Sequence, residues 1–138
     1  MEKHELARLS RNGPARVIGT SRRALTGKVR VDGGRAVGFE SSLERDWQIC
    51  LDFDPSVKTI LEQPFSIFYS TDTGELRYTP DMLAEYCLRG GESAVVVYEV
   101  KHLEDLREDW QQYRRRFSEA IRYCRQRGWR FKIVTERH

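Results

Sequence analysis

The stretch Ala94-Val95-Val96-Val97-Tyr98-Glu99-Val100-Lys101 decides the architecture. Its β-branched, almost uninterrupted apolar run suits a strand covered on both faces, which places it at the centre of a sheet. On a strand, side chains two apart share a face at roughly 6.5–7 Å. Glu99 and Lys101 therefore project together from the end of an otherwise apolar run. Burying two charges is costly unless they are paired or bound to a metal. The plain alternative is that both lie where the strand leaves the core.

Downstream of this strand, Glu104 to Arg127 reads as one long helix. Its inner face is Trp110, Tyr113, Phe117, Ala120, Ile121 and Cys124, with Arg114, Arg115, Arg122 and Arg125 pointing largely outward. Gly128 ends it. A last strand spans Arg130 to Thr135, with Phe131, Ile133 and Thr135 on one side and Lys132 and Val134 on the other. A helix crossing between two strands favours a parallel pair.

Upstream, the reading gives strands over Val57–Leu61, Phe65–Tyr69 and Tyr78–Leu88, with turns near Asp72-Thr73-Gly74 and at Gly90-Gly91. Ser41 and Ser42 open a helix whose apolar stripe is Leu43, Trp47, Cys50 and Leu51, and Asp54-Pro55 stops it. The stretch from Ala15 to Phe39 reads as an extended basic arm and hairpin, preceded by a short polar helix over residues 2–11. The expected class is α/β, a mixed central β-sheet flanked by helices. The expected organisation is one domain over residues 1–138, with an arm over 1–38 and a core over 39–136.

Composition narrows the function classes. The chain has 138 residues, 39% hydrophobic and 33% charged, with a net charge of +3. That permits a polyanionic partner without requiring one. Cys50, Cys87 and Cys124 form no CxxC pair, and His4, His102 and His138 are scattered, which argues against a zinc site or a disulfide framework. A reducing cytoplasm fits this cysteine usage. No apolar run approaches the roughly 20 residues that cross a bilayer, so no membrane association is expected.

The chemistry gathers around a second carboxylate. Pro80 cannot donate to a sheet ladder, so Asp81 sits at a bend or strand start beside its neighbours. Alone it reads as a turn aspartate. Proline-aspartate followed, across a hairpin turn, by Glu99-Val100-Lys101 matches the PD-(D/E)xK signature of nucleases. Those residue types suit phosphodiester hydrolysis: a hard divalent cation prefers oxygen ligands, here Asp81, Glu99 and the Val100 carbonyl. Such an ion activates a water, and Lys101 can orient that water or offset charge on the phosphate. Glu44 is a third acid, although Ser41 and Glu44 also satisfy a capping box. His102 could touch a phosphate but reads more simply as incidental. Arg22, Arg23, Lys28 and Arg30 in the arm are the candidate DNA contacts, against the alternative of a solvated basic loop. The Arg-rich helix is read as a solvated amphipathic face rather than a DNA surface.

These residues, in this order, resemble a known family. Phe39-Glu40-Ser41-Ser42-Leu43-Glu44-Arg45-Asp46, Leu51 to Val57, Glu62-Gln63-Pro64, Tyr78 to Asp81, Tyr98 to Lys101 and Phe131 to Glu136 look like the N-terminal catalytic domain of TnsA. The resemblance spans roughly Gly27 to Glu136. It implies a restriction-endonuclease-like core and Mg²⁺-dependent nicking at the 5′ ends of a transposon, with Mn²⁺ able to substitute. It implies Glu44, Asp81, Glu99 and Lys101 as catalytic residues and a DDE-type transposase (TnsB-like) as partner, with homo-oligomers also admissible. Gln63 matches the family's Gln-Pro pattern without an assignable chemical task. TnsA proteins carry a further C-terminal helical domain, so the resemblance concerns the catalytic domain alone. The competing readings are an autonomous nuclease acting on DNA ends or junctions and a non-catalytic nucleic-acid-binding subunit.

Overall fold

In the computed structural model, residues 38–137 are described, with side chains from Ser42 onward. Helix α1 (Gly38–Phe53) leads into β1 (Val57–Glu62), a hairpin of β2 (Ile67–Thr71) and β3 (Gly74–Tyr78), then β4 (Met82–Cys87) and β5 (Ser93–Val100). Helices α2 (Leu103–Glu108) and α3 (Trp110–Gln126) follow, and β6 (Arg130–Val134) closes the order. The expected residues 1–38 arm, with its helix over 2–11 and its Arg22, Arg23, Lys28 and Arg30, lies outside the described residues but for Gly38.

β1, β4, β5 and β6 form one sheet in the order β1-β4-β5-β6, so the apolar β5 is an interior strand. β4 lies antiparallel to both β1 and β5, whereas β5 and β6 run parallel across the α2–α3 crossover. The mixed sheet and the α/β class are as the sequence indicates. Period-2 alternation then sorts side chains into two cores. Val95, Val97, Leu61 and Leu83 face α3, where Phe117, Ala120 and Cys124 meet them. Val96, Tyr98, Val100, Ile60 and Met82 face α1, where Leu51, Leu43 and Trp47 cover them. Covering both faces removes β5 from water almost completely, which explains why its sequence alternates so little.

Several boundaries differ from the sequence reading. The anticipated strand over Tyr78–Leu88 is two strands: Tyr78 ends β3, and Thr79-Pro80 breaks the ladder before β4. Pro80 lacks an N–H, so the chain turns there, and β3 pairs back onto β2 as a separate two-stranded ribbon. The anticipated long helix is interrupted at Asp109, whose φ −117 and ψ 31 are non-helical. Trp110 is 45% exposed and Ile121 42% exposed, so neither belongs to the inner face, while Tyr113 and Tyr123 pack against the core. Helix α1 starts at Gly38 rather than at Ser41, which leaves Glu44 well inside the helix and removes the capping-box geometry. Cys50 is exposed rather than part of the α1 stripe, and the three cysteines are free thiols.

Candidate functional site

The sheet ends where β4 begins and β5 stops, and there the sequence's charged residues meet. Proline at position 80 delays the β4 ladder until Met82, so Asp81 sits at its mouth, half-buried. One carboxylate oxygen of Asp81 accepts the Val100 N–H at 2.7 Å, bridging the two strands across their open ends. Its backbone carbonyl accepts the Gln63 N–H at 2.9 Å. Gln63 adopts φ +45, an unusual conformation for a non-glycine residue. Its backbone thus turns the chain after β1 and ties it to Asp81.

Glu99 occupies the penultimate position of β5 and is 3% exposed. Its Oε1 accepts the Tyr78 hydroxyl at 2.7 Å. Burial, and then repulsion from the Asp81 carboxylate, pushes the Glu99 carboxyl up to about 8. The Tyr78 hydrogen bond and the positive charges of Lys101 and Arg116 pull it down but do not cancel that rise. Burial also drives the Tyr78 phenol well above its ordinary range, so it stays a hydroxyl donor. Two acids in one partly desolvated place are a strained electrostatic arrangement that a cation relieves.

Lys101 follows β5 on the same side as Glu99, with its Nζ 5.4 Å from the Tyr113 ring centroid on α3. Its N–H donates to the Val134 carbonyl at 3.0 Å, so β6 anchors the backbone just beyond the site. His102 lies further out. Its Nδ1 is 3.8 Å from Glu136, whose Oε1 also accepts the Leu103 N–H at 2.9 Å at the start of α2. That contact ties α2 to the chain after β6, a structural task.

Glu44 is half-buried on α1. One helical turn later, the fully buried Gln48 donates to the buried Glu62 at 3.2 Å, and Glu62 pairs in register with Met82, the neighbour of Asp81. Helix α1 leads back into β1 through Asp54, so it runs against that strand and its N-terminal half lies towards the Asp81–Glu99 end. Glu44 thus sits roughly 6 Å further along the helix axis than Gln48, at that same end. Among the described residues, no three His, Cys, Asp or Glu side chains close into a ready metal cage. The structure brings Asp81, Glu99 and Lys101 together as one cluster on the α3 side, while Glu44 lies on α1, which packs on the opposite face of the sheet.

Four participants escaped the sequence reading. Tyr78 was legible as the residue before Thr79-Pro80-Asp81, but its bond to Glu99 depends on the hairpin β2–β3 folding over the sheet. Arg116 was hidden in the run Arg114-Arg115-Arg116. Only its spacing, three after Tyr113 and four before Ala120, marks it as inward-leaning. The pair Gln48 and Glu62 carried no sequence signal beyond lying in motifs of apolar and Gln-Pro type.

A family model for the TnsA-like endonuclease N-terminal domain matches residues 54–136, which include Asp81, Glu99 and Lys101 and begin after Glu44. No match was found among curated proteins or among solved structures. No helix among the described residues is long and apolar enough to cross a membrane. With more than half of its length matched, in the segment that builds the carboxylate pair, the chain belongs to the TnsA-like endonuclease N-terminal domain family.

Proposed function

We propose that the protein is a Mg²⁺-dependent DNA endonuclease that hydrolyses phosphodiester bonds at the Asp81–Glu99–Lys101 cluster, nicking transposon 5′ ends beside a DDE-type transposase. The observation that carries this reading is the pairing of two carboxylates at the open end of the sheet, one of them held at a raised pKa by its burial first and by the charge of the other second. The donor set suits a hard divalent ion: oxygen ligands, no thiolate and no imidazole. Mg²⁺ is commonly held by one or two carboxylates with waters and substrate phosphate, so a protein-only cage of three is not required. Asp81, Glu99 and the Val100 carbonyl would hold the ion, with Glu44 joining from α1. When bound, the ion would supply Lewis acidity towards the phosphate and lower the pKa of a water towards neutrality.

The chain's own groups do the rest. The Val100 N–H orients the Asp81 carboxylate, and the Tyr78 hydroxyl orients Glu99. Lys101 offers an ammonium within reach of the same space, where it steadies the attacking water or the charge that grows on the phosphate. The transposase role rests on family membership and sets the partner; the chemistry rests on the cluster.

The test is cleavage of supercoiled plasmid by the purified chain in Mg²⁺, alone and with the partner transposase. Asp81→Asn keeps an acceptor for the Val100 N–H but removes the charge. It should lower cleavage by about a thousandfold or more, as expected for loss of metal chemistry plus electrostatic stabilisation, while the thermal midpoint stays near that of the wild type. Normal cleavage by the Asp81→Asn or Lys101→Ala protein sinks the assignment.

A further inference from the structure

We propose that Arg116 is a second cationic residue of the site and binds a phosphate of the DNA backbone next to the bond being cut. This inference rests on the nuclease reading above.

Arg116 leaves α3 on its sheet-facing flank. Its Cζ stands 5.4 Å from the Tyr78 ring centroid and 5.2 Å from that of Tyr113. Tyr78 is the residue that hydrogen-bonds Glu99, and Tyr113 is the ring beside which Lys101 Nζ lies. The guanidinium is thus locked among the two aromatic groups that line the carboxylate pair, and its charge is felt by Glu99. Its Nε is buried, and that N–H has no hydrogen-bond partner among the described residues.

An orphaned buried donor is costly, and most structures find it an acceptor. Cation–π contacts hold the guanidinium plane but do not use its in-plane N–H groups, so the terminal N–H fork on this half-buried side chain is left to meet an anion. A phosphate oxygen pair matches that fork. The other arginines of the run behave differently. Arg115 spends an N–H on the Ser70 carbonyl at 2.8 Å and pairs with Glu119, and Arg114 faces solvent.

Charge adds a further reason. Even with Asp81 and Glu99 both ionised, Lys101 and Arg116 match their charge, so a bound divalent ion would leave the cluster with a surplus of positive charge. A backbone phosphate is the ligand class that such a surplus draws. The rings hold the guanidinium in place beforehand, so little side-chain freedom is lost when the phosphate arrives.

The test compares the wild type, Arg116→Met, Arg116→Lys and Arg89→Ala. Arg89 lies in the turn before β5, at the opposite end of the sheet, and serves as the control. Two quantities are read: the nicking rate in Mg²⁺, and the salt dependence of binding to a short duplex with Ca²⁺ replacing Mg²⁺. Arg116→Met should nick about a hundredfold more slowly. The slope of log affinity against log salt should shrink by about one, whereas Arg89→Ala should change neither. A guanidinium that serves packing alone would leave the salt slope untouched. Should the Met variant fail to fold, Arg116→Lys decides: it keeps the charge and the slope, but loses at least tenfold in rate because an ammonium lacks the fork.

Wild-type rate and slope in Arg116→Met, or wild-type rate in Arg116→Lys, with Asp81→Asn inactive, overturn this inference and leave the nuclease reading standing. A wild-type chain that cuts no DNA in Mg²⁺, with or without its partner, removes both.

Discussion

Replacing Glu99 by glutamine probes the electrostatics at the end of β5 directly. Burial first, and the Asp81 charge second, hold the Glu99 carboxyl at about 8, against an ordinary value of about 4.3. A carboxyl that titrates higher in the fold than in the unfolded chain is protonated in the native state at neutral pH. Its contribution to stability is complete below the unfolded value and is lost as pH climbs through the folded one. The loss runs at about 1.4 kcal/mol per pH unit. The metal-free wild type should therefore give up roughly 3 kcal/mol between about pH 5.5 and about pH 7.5. The E99Q chain should lack that component, because its amide does not titrate and still offers the Tyr78 hydroxyl an acceptor. Urea unfolding followed by tryptophan fluorescence, in EDTA, at several pH values gives both curves. Parallel pH dependence in the two proteins would refute a buried, raised carboxyl at this position.

Three further substitutions test the supports of the site and the fold. Tyr78→Phe removes the donor that favours the charged form of Glu99. It should cost about 1 kcal/mol and push the Glu99 titration still higher, and an unchanged pH profile of stability would show that the hydrogen bond carries no weight. Gln48→Leu keeps much of the volume but deletes the buried donor to Glu62. A loss of about 1–3 kcal/mol in urea unfolding is expected, and no loss would mean that this bond does not hold α1 to β1. Gly128→Ala tests the end of α3, where φ is +74 and an added Cβ would meet nothing within 4 Å. Strain alone then sets the cost, about 1 kcal/mol, and a chain unaffected in thermal unfolding would contradict the left-handed turn.

Glu99 shows how far the sequence carries. Its position in an apolar run placed it on an interior strand, on the same side as Lys101, because alternation along a strand is a purely local rule. The parallel pairing of β5 with β6 was equally legible, since a crossover helix leaves few alternatives. Asp109 shows the opposite. The apolar period runs almost unbroken from Leu106 to Cys124, so nothing local revealed that α2 ends at Glu108 and α3 begins afresh at Trp110. Trp110 and Ile121 belong to that apolar period, yet both lie exposed on α3. Pro80 gave a clear break signal, yet its consequence, a separate β2–β3 ribbon rather than one long strand, depends on which partner each half finds.

The amino-acid order by itself determined the α/β class, the interior strand, the parallel crossover and the residue types Asp81, Glu99 and Lys101. Each follows from periodicity or from the chemistry of a single side chain. Only the tertiary structure decided that Tyr78 bonds Glu99, that Arg116 is held against Tyr78 and Tyr113, and that α1 carries Glu44 towards the same end of the sheet. Apart from the local contact of Arg116 with Tyr113, those are meetings between residues 21 or more apart, set by how a hairpin and two helices pack on opposite faces. Packing couples every element to every other, so no local pattern encodes it.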